Sequence, residues 1–389
     1  MKQVKVGFLS AHNYFDRNAW SGGVYRMYQA LKSKGFQMVD LGNPEQPSSS
    51  LLKKIKNRLR PKTGLASIGS KHYIEQNKRF ANHLQRQLQQ NPCDVIFAPV
   101  ASREVSLLKD DIPVIYMSDA TPELIKDTYN LYPSEAGFLI ADQQEKLAIS
   151  KATKMVYPSD WVADSAVNYY KANPRDIKVV TFGANVDPNM IPTPDRILER
   201  CQSKQCRLLF IGKDWQRKGG YIAFETLEIL NQMGIDSELV FLGCIPPAGF
   251  QHQKMKVIPF LNKNIPEEQQ QFSELLLNSH FLLFPTQADC SPFVICEANA
   301  FGLPVITSDV GGIPTIVQNG KNGYTLPLTA SGQDYANLIA QNFVNKSDYQ
   351  QLVYRARQEY ETRLNWDKWA DKVSEVIESA CAVRSPILV

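Results

Sequence analysis

Short apolar runs alternate with longer amphipathic ones along most of the chain. "VKVGFLSA" reads as a strand ending near Ser10, and after a loop "GGVYRMYQALKSKG" has helical periodicity with Gly35 as its stop. "CDVIFAPV", "IPVIYMSD", "ATKMVYPS" and "DIKVVTFG" are further strand-like runs, the last two separated by the helical "DWVADSAVNYYKAN". Strands alternating with helices predict a doubly wound parallel sheet. The pattern then weakens: "GANVDPNMIPTPDR" holds three prolines and little periodicity, and reads as a linker. A second alternating series follows, through "RLLFIG", "SELVFLG", "MKVIPFL", "HFLLFPT", "LPVITSD" and "GYTLPL". The last segment, "LNWDKWADKVSEVIESA", is an amphipathic helix with Trp366, Trp369, Val373 and Ile377 on one side. The expected fold class is therefore α/β, with two Rossmann-like halves. Ligands of such sheets bind beyond the carboxyl ends of the strands, so a cleft between two such ends is the place to look for chemistry.

Composition narrows the classes. With 389 residues the chain is too long for one core, and 43% hydrophobic residues can fill two. The net charge of +4, from 43 basic and 39 acidic residues, is too small to argue for nucleic acid as a partner. No window approaches the ~20 apolar residues of a membrane span. The opening "MKQVKVGFLSAHNYF" has too short an apolar run for a signal peptide. The seven cysteines are an odd number without a C-x-x-C pair, which argues against a disulfide framework and a zinc site. A cytoplasmic protein is expected.

Five stretches carry candidate chemistry, and four of them follow strands. "FIGKDWQRKGG" places Lys213, Arg217 and Lys218, then two glycines, before a helix; cations and free N–H groups there suit a diphosphate, although a basic solvated loop would look the same. "ADCSPFVICEANAFG" carries Asp289 in the loop after a strand and Glu297 early in a helical stretch ended by Gly302. The amides of Phe293 and Val294 would sit at that helix start as an anion site, and the two carboxylates could accept bonds from vicinal hydroxyls. The plainer alternative makes Asp289 an N-cap and Glu297 a surface residue. The long loop "SAHNYFDRNAWSGGVYRM" offers His12, Asn13, Tyr14 and Trp20, with Gly22 and Gly23 allowing close backbone approach. Asp119, in "IYMSDATPEL", is either a general base or hydroxyl anchor, or part of a helix cap with Thr121 and Pro122. Finally "LLKKIKNRLRPK", 51–62, has an apolar stripe among basic residues, compatible with peripheral contact to an anionic membrane or with an ordinary packed surface helix. No histidine is placed to activate Cys290 or Ser291 as a nucleophile.

These stretches carry a resemblance. "FIGKDWQRKGG" and "PTQADCSPFVICEANAFGLPVITSDVGGIPTIVQNGKNGYTLPL", with "YPSDWVADSAVNYY" and the Gly22–Gly23 loop as weaker features, resemble the retaining GT-B glycosyltransferases of the large family-4 class, glycosyl transferases group 1. The resemblance implies an acceptor-binding Rossmann-like domain over 1–183, a linker over 184–200, a nucleotide-sugar-binding domain over 201–365, and over 366–389 a crossover helix packing toward the first domain. It implies that Lys218 neutralises the donor diphosphate, with Lys213 roughly where the family has an arginine. Glu297 matches the second acid of the family's E-x7-E motif, which holds the ribose. The first acid, normally Glu, is here Asp289, in the place that meets the donor sugar; Asp119 stands where the family often has a histidine. The implied activity is retaining transfer of a hexose from a nucleotide diphosphate sugar, a UDP-sugar favoured, to a sugar, small-molecule or lipid-linked acceptor. No D-x-D-like motif lies in the cleft loops, so no metal and no cofactor beyond the donor is expected. The rivals are an epimerase or hydrolase of nucleotide sugars, or a non-catalytic protein that binds them.

Overall fold

The structure, a computed structural model, describes residues 3–42, 71–132 and 134–382. The basic stretch at 51–62 lies outside the described residues. The chain divides into two compact units, one of 1–20, 24–180 and 370–389, the other of 21–23 and 181–369.

In the first unit six strands form one parallel sheet: β1 (Lys5–Phe8), β2 (Gln37–Asp40), β3 (Val95–Pro99), β4 (Val114–Met117), β5 (Lys154–Tyr157) and β6 (Ile177–Val179). Their order is β2-β1-β3-β4-β5-β6, so the winding reverses between β1 and β3. The helix Lys71–Gln90 contributes Phe80, Leu84 and Leu88 to the core on one face.

That core also holds carboxylates. Glu145, from the helix Glu135–Lys151, is buried and accepts a 2.7 Å bond on Oε2 from the Tyr116 hydroxyl. Burial pushes its carboxyl up to about 8, with the nearby Asp142 carboxylate acting the same way. The folded chain thus holds the Glu145 proton more tightly than the unfolded chain does. Stability is highest below pH 4.5 as far as this group is concerned, and falls as pH rises through the window up to about 8. The size of the effect is on the order of 5 kcal/mol. Melting temperatures of wild type and Glu145→Gln, compared at pH 5 and pH 8.5, should diverge, with the variant the more stable at the higher pH. Parallel profiles would show that Glu145 is not the responsible group.

The second unit repeats the plan with β7 (Cys206–Ile211), β8 (Ser237–Leu242), β9 (Met255–Ile258), β10 (Phe281–Phe284), β11 (Val305–Ser308) and β12 (Gly323–Leu326). All pairs are parallel, in the order β12-β11-β10-β7-β8-β9. Both faces are covered: Leu208 and Phe210 enter one core with Phe281 and Leu283, whereas Leu209 enters the other with Leu282 and Phe284. Burial on both faces is why these strands read as unbroken apolar runs rather than alternating ones.

Residues 184–200, prolines and all, are built into this unit. They form a 3-10 turn at Pro188–Met190 and a short helix at Pro194–Leu198, and Ala184, Val186 and Ile197 are buried in its cores. The last helix, Trp366–Ala382, divides between the units at Trp369, and Trp369, Val373 and Ile377 of its apolar stripe are fully buried. Among the described residues no helix is long and apolar enough to cross a membrane.

Candidate functional site

In the second sheet β7 and β10 are neighbours, and the later strands run outward from them on opposite sides. This reversal of strand order brings together the loops that follow β7 and β10, because the two crossover helices leave to opposite faces. Here the loops are bonded along their length. Gln287 N–H donates to the Arg217 carbonyl at 2.7 Å, Thr286 Oγ1 to the same oxygen at 3.2 Å, and the Arg217 guanidinium to the Ala288 carbonyl at 2.8 Å.

The two glycines of "RKGG" serve this junction. Gly219 has φ +71, and a Cβ there would lie 1.9 Å from the Pro285 carbonyl oxygen; a Cβ on Gly220 would lie 2.4 Å from the Trp215 ring. The bare Cα of Gly219 lets the first loop close on the second, and that of Gly220 lets Trp215 fold back within the first loop. A third loop, after β11, locks the other side: a Cβ on Gly311 would lie 1.8 Å from the Asp289 carbonyl, and Gly312 N–H donates to Cys290 O at 2.8 Å.

This closure carries the Lys218 ammonium onto Asp289 Oδ2, as a hydrogen-bonded ion pair whose side chains are 13% and 11% exposed. The Phe284 ring lies 4.8 Å below the ammonium. Burial pushes Lys218 below the ordinary lysine range, and the Asp289 charge acts in the opposite direction. Asp289 is not a cap. The N-cap of the helix Phe293–Ala300 is Pro292, and its side chain makes no capping bond. The first turn of that helix has no acidic residue, so its N-terminus keeps its positive partial charge. Phe293 stacks its ring on Phe182, 4.7 Å between centroids, and Val294 is half-buried beside it. Ser291 Oγ, next to this helix start, is buried without a hydrogen-bond partner.

Glu297 lies one turn into the same helix and is not a surface residue. Its side chain is 4% exposed, and Oε1 accepts from Lys263 Nζ at 2.5 Å. Lys263 follows β9 and was not singled out by any motif; its signal is its place just beyond a strand, shared with Lys218 and Asp289. Lys213 shares the loop of Lys218, but it is exposed, with its ammonium 5.9 Å from the Phe260 ring centre.

The remaining candidates lie apart from these pairs in sequence. Gly22 has φ +88, and Gly23 begins the helix Gly23–Ser33. Trp20 and Ser21 just before them also have positive φ, 47 and 56, a costly conformation for residues with side chains. The Ser21 carbonyl accepts from Asn185 Nδ2 at 2.8 Å, and Asn185 Oδ1 accepts from the Trp366 indole at 3.0 Å. Asp119 is half-buried in the turn after β4. The N-cap there is Thr121, with Pro122 opening the short helix, yet the Thr121 hydroxyl bonds Ser165 Oγ at 2.7 Å instead of capping. His12 is half-buried, and burial lowers its basicity. Among the described residues no group of three or more His, Cys, Asp or Glu is placed to hold a metal ion.

The second unit thus presents two lysine–carboxylate pairs at the carboxyl end of one sheet, both acids on the β10 loop and its helix. Residues 202–359 match the glycosyl transferases group 1 family. A D-inositol 3-phosphate glycosyltransferase of Corynebacterium kroppenstedtii is 22% identical over 254 residues, covering 61% of this chain. The match spans about half, 55%, of that relative's length. Among solved structures, sucrose-phosphate synthase of Thermosynechococcus elongatus superposes with a TM-score of 0.70 at 15% identity, over 98% of this chain and 100% of that one. Anabaena HepE, solved with UDP and glucose, superposes at 0.63 and 14% identity over 97% and 100%. The α/β fold of two parallel sheets is therefore that of the GT-B glycosyltransferases, and within it residues 202–359 match the glycosyl transferases group 1 family model.

Proposed function

We propose that the chain is a retaining hexosyltransferase that uses a nucleotide diphosphate sugar, with a UDP-sugar favoured, and needs no metal ion. The observation that carries this reading is the Lys218–Asp289 pair at the strand-order reversal, beside an uncapped helix N-terminus. In the reaction the bond from the sugar's anomeric carbon to the diphosphate oxygen breaks, and a bond from that carbon to the acceptor oxygen forms. Negative charge grows on the departing diphosphate oxygen, and that oxygen takes the proton of the acceptor hydroxyl. Lys218, the Phe293 and Val294 amides and, more remotely, Lys213 would meet that charge; fixed donors aimed at developing charge are commonly the largest contribution a site makes. Once a diphosphate takes Lys218, the Asp289 carboxylate is free to accept from hydroxyls of the donor sugar. Glu297 would hold the ribose hydroxyls.

Asp119, Gly22 and Gly23 are proposed to serve the acceptor, a sugar, a small molecule or a lipid-linked saccharide. The basic stretch at 51–62 leaves room for peripheral attachment at the inner face of a membrane, and a cytoplasmic location fits a nucleotide-sugar donor. That HepE was solved with UDP and glucose supports the choice of UDP. The test is a panel of UDP-, GDP- and ADP-sugars offered in the presence of EDTA, with binding and slow nucleotide release followed together.

A further inference from the structure

The loop after β9 is built around one lysine. Asn262 N–H donates to the Glu268 carboxylate, and Gln269 Nε2 donates to the Lys263 carbonyl. Asn264 N–H donates to Asn262 Oδ1 at 3.0 Å, and Ile265 N–H to Asn262 O at 2.9 Å. Glu268 and Gln269 belong to the start of the helix Pro266–Asn278, so that helix holds the loop in shape. From the same helix the Phe272 ring lies 4.3 Å from the Lys263 ammonium, whose other neighbour is Glu297 Oε1 at 2.5 Å. Ring and carboxylate together restrict a side chain that is otherwise among the most mobile. Lys263 keeps 24% of its side chain exposed while Glu297 keeps 4%, so the lysine is the more accessible half of the pair.

The bond to Glu297 uses one of three ammonium donors and one of two carboxylate oxygens. The pair therefore offers N–H donors and a charged acceptor side by side. A hydroxyl group is the ligand chemistry that both accepts and donates, and two vicinal hydroxyls can use both halves at once. We propose that Lys263 is a specificity-determining residue that, with Glu297, reads the ribose hydroxyls of the donor nucleotide and selects ribonucleotides over 2′-deoxyribonucleotides. This rests on the reading of Glu297 as the ribose-holding acid. A site built to bond a hydroxyl rejects the analogue lacking it, because its own polar groups are left unpaired.

Lys263 could instead serve only to neutralise a buried carboxylate. The preference for ribose separates the roles, since mere neutralisation would not move it. Calorimetry on the full chain with UDP, GDP and ADP and their 2′-deoxy counterparts supplies the measurement, for wild type, Lys263→Met, Lys263→Gln and Glu297→Gln. Wild type should prefer the ribo form of whichever nucleotide it binds by about tenfold or more. In both Lys263 variants that preference should shrink to about threefold or less. The Gln variant replaces the cation by a shorter, uncharged polar side chain and supplies the result if the Met variant does not fold. An unchanged preference in the Lys263 variants, or none in wild type, would overturn the inference alone, provided Glu297→Gln weakens binding. If wild type binds none of the three nucleotides, the donor reading falls, and this inference with it.

Discussion

Replacing Lys218 by methionine should cut turnover about 10²–10³-fold, the usual cost of removing one donor to developing charge. The lysine is held nearly buried against Asp289, between the Phe284 ring and the loop after β10. A cation so fixed needs no reorganisation when charge grows on the leaving diphosphate, so the loss should fall mainly on kcat. The same change strands Asp289, 11% exposed, without its partner. Breaking a buried pair from one side costs about 3–5 kcal/mol, so Lys218→Met alone should also melt early. The double variant Lys218→Met/Asp289→Asn removes both charges and should recover much of the lost stability, but not turnover. Steady-state kinetics and thermal melts on both variants check this. Recovery of turnover in the double variant would mean that Lys218 is only a counter-ion for Asp289.

Glu297→Gln should act differently. A ribose lies away from the reacting carbon and makes the same contacts before and during the reaction. Losing a carboxylate acceptor for its hydroxyls removes uniform binding, which raises KM with kcat little changed. A hydrogen bond to a charged group contributes about 1.5–3 kcal/mol, so KM should rise roughly 10- to 100-fold. The glutamine preserves shape and can still accept from Lys263, which limits any structural damage in a site that is only 4% exposed. A fall in kcat with unchanged KM would place Glu297 near the reacting bond instead of the ribose.

The contrast between these two residues bears on what could be seen before the fold. Strands of the second unit were legible as apolar runs because both faces of its sheet are buried. β2 (Gln37–Asp40), with exposed ends and a half-buried middle, gave no such run. Asp289 and Glu297 were legible as unusual acids in an apolar stretch. Lys218 was legible too, as a phosphate-binding cation, but its pairing with Asp289 was not, because that depends on strand order: only when β7 and β10 are known to be neighbours does Lys218 meet Asp289 across 71 residues of chain. Lys263 is reached by the same logic from β9, through a loop with no glycine pair or helix cap to mark it. The cations and free N–H groups of "RKGG" were legible as suited to a diphosphate; the need for its two glycines was not, since the space they leave is taken by Pro285 and Trp215.

On the function proposed above, the second unit binds a nucleotide diphosphate sugar and activates it without metal. Titration calorimetry with UDP-glucose, UDP-galactose, UDP-N-acetylglucosamine, GDP-mannose and ADP-glucose, in EDTA, followed by assay of nucleotide release, tests it most directly. Saturable binding of one donor, a UDP-sugar foremost, is expected, with slow release of nucleotide and of a sugar that keeps the donor's anomeric configuration. No binding to any donor, or binding that appears only when a divalent metal is restored, would contradict it.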